Sequence, residues 1–348
     1  MYDIEELYEA ESPAHAVELL CKHPEAKIIA GGSDVLIKIR EGKLAGCTLI
    51  SIQKIDELRG VSINSDGAIR IGPLTSFSHI ASDPLVLTHI PVLAEAAQTV
   101  GGPQIRNIAT IGGNICNGVT SADSASTLLA FDAVLEYLGP KGLRQVPITE
   151  HYVSAGKTAL AHEEILQAIL IPKASYENCY GHYIKYAMRN ALDIATLGCS
   201  ANVKLGGPSD STVTVASTWP TPFCSSSSTR SPVRVPSSGG IRDRGSGIGV
   251  HSSKSSDASV LYPNNPNKDP QSPVPDPQSL SSPRSPIPDP QSLYIDRLRL
   301  AFGVAGPVPL RALGAEQLAA GKPANAETVA DIAKAALGGI KPRTSWRA

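Results

Sequence analysis

The sequence predicts a protein of mixed α-helices and β-strands, interrupted by one long tract that cannot form a core. Short β-branched apolar runs alternate with helical patterns and turn signals from residue 1 to about 205, and again from 294. Hydrophobic residues make up 42% of the 348 residues, enough to bury a core over most of this length. The stretch from about 208 to 293, by contrast, holds 15 of the 28 prolines.

Strands are predicted where β-branched or alternating apolar runs end at glycine or proline. They are expected at 27–30, 48–52, 68–71, 134–138, 166–171, about 201–205 and 296–304. Helices are predicted at 14–20, 93–100 and 324–337, where apolar residues recur at helical spacing. The last of these helices places Val329, Ile332 and Ala336 on one face and ends at Gly338-Gly339.

The tract 208–293 is predicted to be disordered. It contains 22 serines, and the unit PDPQSL occurs at 275–280 and again at 288–293. Serine and proline at this density bury too little apolar surface to offset chain entropy. A binding tract remains an alternative to the favoured interpretation, which is a spacer or a sequence artefact.

Charge and composition argue against several classes of function. Lys plus Arg is 31 and Asp plus Glu is 32, and this balance argues against binding nucleic acid through its phosphates. Aromatic residues are 5%, too sparse for a base-stacking surface. No apolar run reaches the roughly 18 residues of a membrane span, and the acidic N-terminus does not match a secretory signal. We therefore expect a cytoplasmic protein without nucleic-acid or membrane partners.

The cysteines and histidines predict no metal site. The six cysteines show no C-x-x-C spacing, and the eight histidines show no ligand pattern. The cysteines are therefore expected to be reduced thiols, most of them buried.

Two glycine pairs are the main candidates for ligand binding. The first is AGGSD at 30–34, directly after a predicted strand, and the second is TIGGN at 110–114. Glycine permits left-handed backbone, so such turns can wrap main-chain amides around phosphate oxygens, with the Ser33 and Thr110 hydroxyls as further donors. A tight turn without a ligand explains either pair taken alone, and neither matches a Rossmann or P-loop pattern. Two such bends approaching each other would hold both phosphates of a dinucleotide.

Asp123, within TSADS at 120–124, has two interpretations. Its carboxylate either accepts hydrogen bonds from ribose or ribitol hydroxyls or caps the helix that follows. The residue alone does not decide between them.

Four sequence blocks together resemble a known family. They are AGGSD at 30–34, GPQIRNIATIGGNICNG at 102–118, TSADS at 120–124 and KYAMRNALDI at 185–194. In these blocks the chain resembles the FAD-binding subunits of bacterial molybdenum hydroxylases, xanthine dehydrogenase above all. The likeness covers roughly 1–205 and 294–348, where LAFGVAGPVP at 300–309 and PRTSWRA at 342–348 continue it.

The resemblance implies a fold and a domain organisation. The fold would be α+β, of the FAD-binding vanillyl-alcohol oxidase or PCMH type, with two α+β subdomains and a C-terminal α/β cap. The FAD-binding domain would span 1–175, with subdomains at about 1–60 and 61–175. The cap would comprise 176–207 plus 294–348, interrupted by the disordered insertion 208–293.

The resemblance also implies the residues that hold FAD, non-covalently. Segments matching 27–34 and 109–113 surround the diphosphate in the family, and positions matching Asn114, Asn117 and Asp123 lie along the adenosine and ribityl parts. A leucine contact near the flavin falls on Leu166, beside Ile165, and a lysine contact falls on Lys185. Asp193 matches a loop position near the face that nicotinamide approaches. The implied cofactor-binding residues are Lys27, Ile28, Ile29, Ala30, Gly31, Gly32, Ser33, Asp34, Ala109, Thr110, Ile111, Gly112, Gly113, Asn114, Asn117, Asp123, Ile165, Leu166 and Lys185.

The implied function is electron transfer rather than chemistry by a side chain. Electrons would pass from the clusters of a partner iron–sulfur subunit through FAD to NAD, within an assembly that includes a molybdopterin-binding subunit. No catalytic side chain is implied, although Lys185 would stabilise negative charge on the reduced ring, where the residue alone suggests a solvated lysine. The alternatives are the same role in a complex acting on aldehyde, nicotinate or carbon monoxide, or a remnant that no longer holds FAD. The inserted tract and the end of the chain soon after the SWRA match motivate the last alternative.

Overall fold

The computed structural model describes residues 2–207 and 293–340. Apart from Leu293, the tract predicted to be disordered lies outside the described residues, and so does the block at 342–348.

The described residues contain fourteen strands and twelve α-helices, and a 3₁₀ turn at Asp56–Leu58. The strands are β1 (Ile4–Glu9), β2 (Lys27–Ile29), β3 (Cys47–Ser51), β4 (Val61–Ile63), β5 (Ile69–Ile71), β6 (Val134–Gly139), β7 (Gly142–Pro147), β8 (Tyr152–Ser154), β9 (Lys157–Thr158), β10 (Ile165–Ile171), β11 (Cys179–Tyr186), β12 (Leu197–Gly206), β13 (Tyr294–Gly303) and β14 (Leu310–Arg311). The helices are α1 (Pro13–Lys22), α2 (Val35–Arg40), α3 (Phe77–Ser82), α4 (Pro84–His89), α5 (Pro91–Gln98), α6 (Pro103–Ile108), α7 (Ile111–Cys116), α8 (Asp123–Ala130), α9 (Ile148–His151), α10 (Lys173–Tyr176), α11 (Leu313–Ala319) and α12 (Ala326–Gly339).

A three-stranded parallel sheet carries the first glycine pair at the end of one of its edge strands. Its order is β1-β3-β2, with Leu7 opposite Leu49 and Ile28 opposite Ile50. Helix α1 packs on this sheet and buries Leu20 in the same core as Ile50. Parallel neighbours need a crossover connection, so the chain leaves β2 through residues 30–34 and α2 before it returns as β3.

A five-stranded antiparallel sheet, in the order β4-β5-β10-β6-β7, forms a second layer. It buries Ile69 and Leu135 against a group of short helices, which contribute Leu93, Ile111 and Leu128 to one core. The second glycine pair lies in one of these helices, α7.

A four-stranded antiparallel sheet, in the order β11-β12-β13-β14, forms a third layer. Strands β8 and β9 pair separately as a short antiparallel ribbon. Ala301 packs into the core shared with α5 and α8, whereas the next residue, Phe302, packs with α11 and α12, because successive side chains of a strand point to opposite faces. The predicted strands near 201–205 and at 296–304 are neighbours in this sheet. Gly206 lies opposite Tyr294, so β12 and β13 meet where the chain leaves and re-enters the described residues.

Helix α12 buries two of the three residues predicted to share its apolar face, and Val329 is the exception. Thr328, Ile332 and Ala336 are buried, whereas Val329 is 58% exposed. Asn325 caps the helix by accepting a hydrogen bond from the Thr328 amide at 2.9 Å, and the buried stripe runs from Thr328 at four-residue spacing. Because the helix is rich in alanine, its sequence favours the predicted stripe and the observed stripe almost equally. Packing against the sheet decides which of the two is buried. Within 2–207 and 293–340, no helix is both long and apolar enough to cross a membrane.

Candidate functional site

The first glycine bend, residues 30–34, presents unpaired main-chain amides. Gly32 has a φ of 75°, a left-handed conformation that a side chain would strain. Across the described chain, the amides of Gly31, Gly32, Ser33 and Asp34 donate to no protein acceptor. Successive amides in a bend with alternating handedness form an anion-binding concavity. These amides are therefore free to donate to phosphate oxygens, and phosphate binding at this bend stays a prediction.

The first bend is in contact with the segment that leads into the second pair. A Cβ built on Gly31 would lie 1.8 Å from the carbonyl oxygen of Ile108 and 3.2 Å from the Cα of Ala109. Only glycine permits this backbone approach. The two segments predicted to approach each other are therefore neighbours in the structure.

The second glycine bend, residues 110–114, differs from its prediction, because its amides are already paired. The four consecutive amides of 111–114 donate to Thr75 O, Pro73 O, Thr110 Oγ1 and Thr110 O, at 2.9–3.2 Å. Gly112 is required by packing, since a Cβ there would lie 2.4 Å from the Cβ of Pro73. Hence this bend does not form a free concavity of amides.

The second bend nevertheless keeps an open side. Gly113 is exposed, and a Cβ built on it would meet one atom within 4 Å, Thr110 Oγ1. The Thr110 hydroxyl accepts from the Gly113 amide and keeps its own proton for a further acceptor. Thr110 and the open face at Gly113 are what this bend offers to a ligand.

Asn117 connects the two bends through its side chain. Its Nδ2 donates to Asp34 Oδ2 at 3.0 Å, and its Oδ1 accepts from Lys38 Nζ at 2.7 Å. Asp34 belongs to the first bend, Lys38 lies one turn along α2, and Asn117 is the C-cap of α7. Sequence reasoning missed Lys38, although its position four residues after Asp34 places both on one helical face.

A second connection joins α7 to α8. The hydroxyl of Ser124 donates to Asn114 Oδ1 at 2.7 Å. Helix α8 is buried along its whole length, so it provides a rigid support for the polar groups in its first turn.

Asp123 and Lys185, predicted separately, form a buried ion pair. Lys185 Nζ lies 2.9 Å from Asp123 Oδ2 and donates to Thr99 O at 3.0 Å, and the side chains are 10% and 8% exposed. The Tyr183 hydroxyl donates to Asp123 Oδ1 at 2.8 Å. The helix-cap interpretation of Asp123 is therefore wrong, because the N-cap of α8 is Ala122, without a side-chain bond. Lys185 is likewise buried rather than solvated. The ribose or ribitol contact of Asp123 stays a prediction.

Burial dominates the electrostatics of this cluster. It raises the pKa of Asp123, while the charge and hydrogen bond of Lys185 and the hydrogen bond of Tyr183 act in the opposite direction. Burial also raises the pKa of Tyr183, helped by the neighbouring Asp123 carboxylate. Sequence reasoning missed Tyr183, whose only signal was its place two residues before Lys185, on the same face of β11.

The remaining predicted residues lie on strands. Lys27 is exposed at the start of β2, and Ile28 and Ile29 are half-buried. Ile165 and Leu166 are buried in β10, at 2% and 5% exposed, next to an irregularity in the pairing with β6. These two lie within the apolar cores and take no part in the side-chain hydrogen bonds at Asn117, Asn114 and Asp123.

The donor set fits a dinucleotide cofactor. The four unpaired amides of 31–34 suit the oxygens of a diphosphate, and the segment in contact with Gly31 leads into the second bend, whose Gly113 has an open face. Asp123 of the buried Asp123–Lys185 pair is the neighbour in sequence of Ser124, which bonds to Asn114. No metal-ligating group of three or more His, Cys, Asp or Glu side chains occurs among the described residues.

Comparisons with known proteins cover both described stretches. Residues 2–174 match the FAD binding domain in molybdopterin dehydrogenase, and residues 291–348 match the CO dehydrogenase flavoprotein C-terminal domain. The chain is 34% identical to the xanthine dehydrogenase FAD-binding subunit of Escherichia coli over 348 residues, which is 100% of this chain and 90% of that protein. It is 33% identical over 181 residues to the nicotinate dehydrogenase FAD-subunit of Eubacterium barkeri, which is 51% of this chain and 60% of that protein.

Solved structures give the same fold. A chain of a carbon monoxide dehydrogenase from Hydrogenophaga pseudoflava superposes with a TM-score of 0.70 at 24% identity, covering 100% of this chain and 91% of that one. The predicted α+β FAD-binding fold is thereby confirmed.

Proposed function

Because this chain belongs to the FAD-binding subunits of the molybdenum hydroxylases, we propose that it carries electrons through FAD to NAD in a xanthine-dehydrogenase-like enzyme. FAD is its cofactor, and the chain is one subunit of a multi-subunit oxidoreductase with iron–sulfur and molybdopterin partners. The finer parts of the proposal are the substrate, xanthine, and the acceptor, NAD. The cytoplasmic location stays a prediction.

Full-length similarity supports xanthine as the substrate of the complex. The match to a xanthine dehydrogenase subunit extends over all of this chain, whereas the match to a nicotinate dehydrogenase subunit extends over 51% of it. Because the substrate would bind another subunit, a complex that oxidises nicotinate, an aldehyde or carbon monoxide remains the alternative. Assay of the purified complex with each of these substrates decides between them.

The first glycine bend is the observation that carries the cofactor role. Its four unpaired amides would hold the diphosphate, with Thr110 and the open side of Gly113 adjoining them. Asn117 would keep the two bends together, and Asn114 would be held by Ser124. When bound, FAD supplies the redox chemistry, so these residues need only bind and orient it.

Lys185 would be the polar group near the flavin. It is a buried cation whose position is fixed by Asp123 and Thr99, and it would stabilise negative charge on a nearby ring. Because burial excludes water from around Lys185, the attraction between its ammonium and that negative charge would be stronger than in water.

The experiment compares two glycines with the same backbone conformation. Gly32 and Gly42 have φ values of 75° and 76°, but Gly42 has open space around its Cβ position and lies outside the bend. We expect Gly32→Val to purify without flavin and Gly42→Val to keep it, measured by the visible flavin absorption and by reconstitution with added FAD. Equal flavin content in both variants contradicts the proposal, and a wild-type protein that stays colourless with added FAD identifies a remnant.

The acceptor is tested on the flavin-loaded chain. We expect NADH to reduce the bound flavin, seen as bleaching of its absorption under anaerobic conditions. Bleaching by dithionite without bleaching by NADH would refute NAD as the acceptor and leave the cofactor assignment intact.

A further inference from the structure

Asn117 lies between two groups of opposite charge. Lysine can only donate hydrogen bonds and an ionised carboxylate can only accept them. Lys38 therefore fixes the Asn117 oxygen towards itself, at 2.7 Å, and leaves the Asn117 amine for Asp34, at 3.0 Å. No direct ion pair joins Lys38 to Asp34 in the described part of the chain, so the Asn117 amide acts as the link between them.

This link joins segments that are far apart in sequence. Asp34 and Asn117 are separated by 83 residues, and Lys38 and Asn117 by 79. On one side is the bend with the unpaired amides, and on the other is the end of the helix that begins at the second bend. The Asn117 orientation therefore contributes to how closely the two bends approach each other.

The link also controls an unfavourable charge. Asp34 is the last residue of the first bend, and a free carboxylate beside four phosphate-binding amides would repel a diphosphate. Hydrogen bonding to Asn117 holds this carboxylate on the α7 side of the bend. The Lys38 ammonium, bonded to the other end of the same Asn117 side chain, adds a compensating positive charge.

We propose that Lys38 is a positioning residue for the diphosphate, which acts by orienting Asn117 and thereby holding Asp34. This inference rests on the proposed cofactor role and adds a residue that the family resemblance does not supply. It applies to ligands that carry a diphosphate, and it makes Lys38 a determinant of affinity for them.

Lys54, three residues after the end of β3, is a control with the same charge. It also makes one short charged contact, to Glu9 at 2.6 Å, but its side chain is 70% exposed and it has no link to either bend. Removing its charge changes the total charge of the protein by the same amount as removing that of Lys38.

The test measures binding of FAD and of ADP to full-length apoprotein. We expect Lys38→Met to weaken both ligands by about tenfold to a hundredfold, the usual effect of losing one hydrogen bond to a charged group. Lys38→Arg, which keeps the charge and a donor, should regain most of the affinity, and Lys54→Met should bind like wild type. The affinity of wild type should also fall more steeply with added salt than that of Lys38→Met.

Each other outcome overturns the inference in a distinguishable way. Wild-type affinity in Lys38→Met removes the positioning role, and equal losses in Lys38→Met and Lys54→Met show a general charge effect. If Lys38→Arg binds as weakly as Lys38→Met, orientation of Asn117 by a cation is refuted. If wild-type apoprotein binds neither ligand, the cofactor role itself fails, and the inference fails with it.

Discussion

The buried Asp123–Lys185 pair predicts a large loss of stability when its carboxylate is removed. Asp123→Asn keeps the size of the side chain but leaves the Lys185 ammonium, 10% exposed, without a counter-charge. Breaking one partner of a buried pair costs about 3–5 kcal/mol. Each kcal/mol lowers Tm by about 2–4 °C in a domain of this size, so we expect a drop of about 6–20 °C.

Urea or thermal unfolding of the apoprotein measures this loss. Glu177→Gln is the control. It breaks the ion pair between Glu177 and Lys173, which has a similar length, 3.2 Å, but whose two side chains are each 53% exposed. An exposed pair contributes less than about 1 kcal/mol. Adding Lys185→Met to Asp123→Asn removes the uncompensated charge, so the double variant should be more stable than the sum of the single losses predicts.

The reasoning is refuted if Asp123→Asn unfolds like Glu177→Gln. That result would mean that solvent or another group compensates Lys185. Strict additivity in the double variant would show that the two residues do not interact.

Two further predictions follow from backbone contact and from burial. Gly31→Ala would place a methyl group 1.8 Å from the Ile108 carbonyl oxygen, so it should reduce both flavin content and Tm. The control Gly42→Ala, with open space at its Cβ, should keep its flavin. Equal flavin loss in the two variants would refute the contact. His151 is buried, and its ring bonds to Tyr137 and to Ile115 O. Burial lowers the pKa of His151 from its ordinary 6.5, and the hydrogen bond to Ile115 opposes this in part. The unfolded chain therefore binds the proton more readily than the folded chain. The free energy of unfolding should not be reduced by His151 above pH 6.5, and it should fall as the pH drops below that value. Denaturant titrations across this range should show a smaller fall for His151→Gln; an equal slope in both proteins would rule out His151 as the cause.

Local patterns were sufficient where the structure depends on near neighbours. Strand β2 and the bend after it could be predicted because a β-branched run stops at two glycines, and the left-handed Gly32 follows from that composition. The strands at 201–205 and 296–304 were likewise recognisable by alternation, although nothing local indicated that they pair with each other.

Predictions were incomplete where the hydrogen-bond or ion-pair partner of a residue lies far away in sequence. The amides of the second bend could not be assigned, because two of their acceptors, Pro73 O and Thr75 O, lie about forty residues earlier. Asp123 could be an N-cap on local grounds, and only its contact with Lys185, 62 residues later, decides against this. Lys38 was missed for the same reason, since its partner is 79 residues away.

The pairing of β12 with β13 joins the described stretches 2–207 and 293–340, because each stretch contributes two strands to the same four-stranded sheet. Nine aligned pairs hold these strands together, from Gly198–Gly303 to Gly206–Tyr294. Two separate polypeptides, one ending at Gly207 and one starting at Leu293, would therefore carry complementary strand edges. They would also share one core, in which Leu197 and Val203 of β12 pack against Leu298 and Phe302 of β13. If such co-expressed fragments are tested, the yellow colour of retained flavin would report their reassembly.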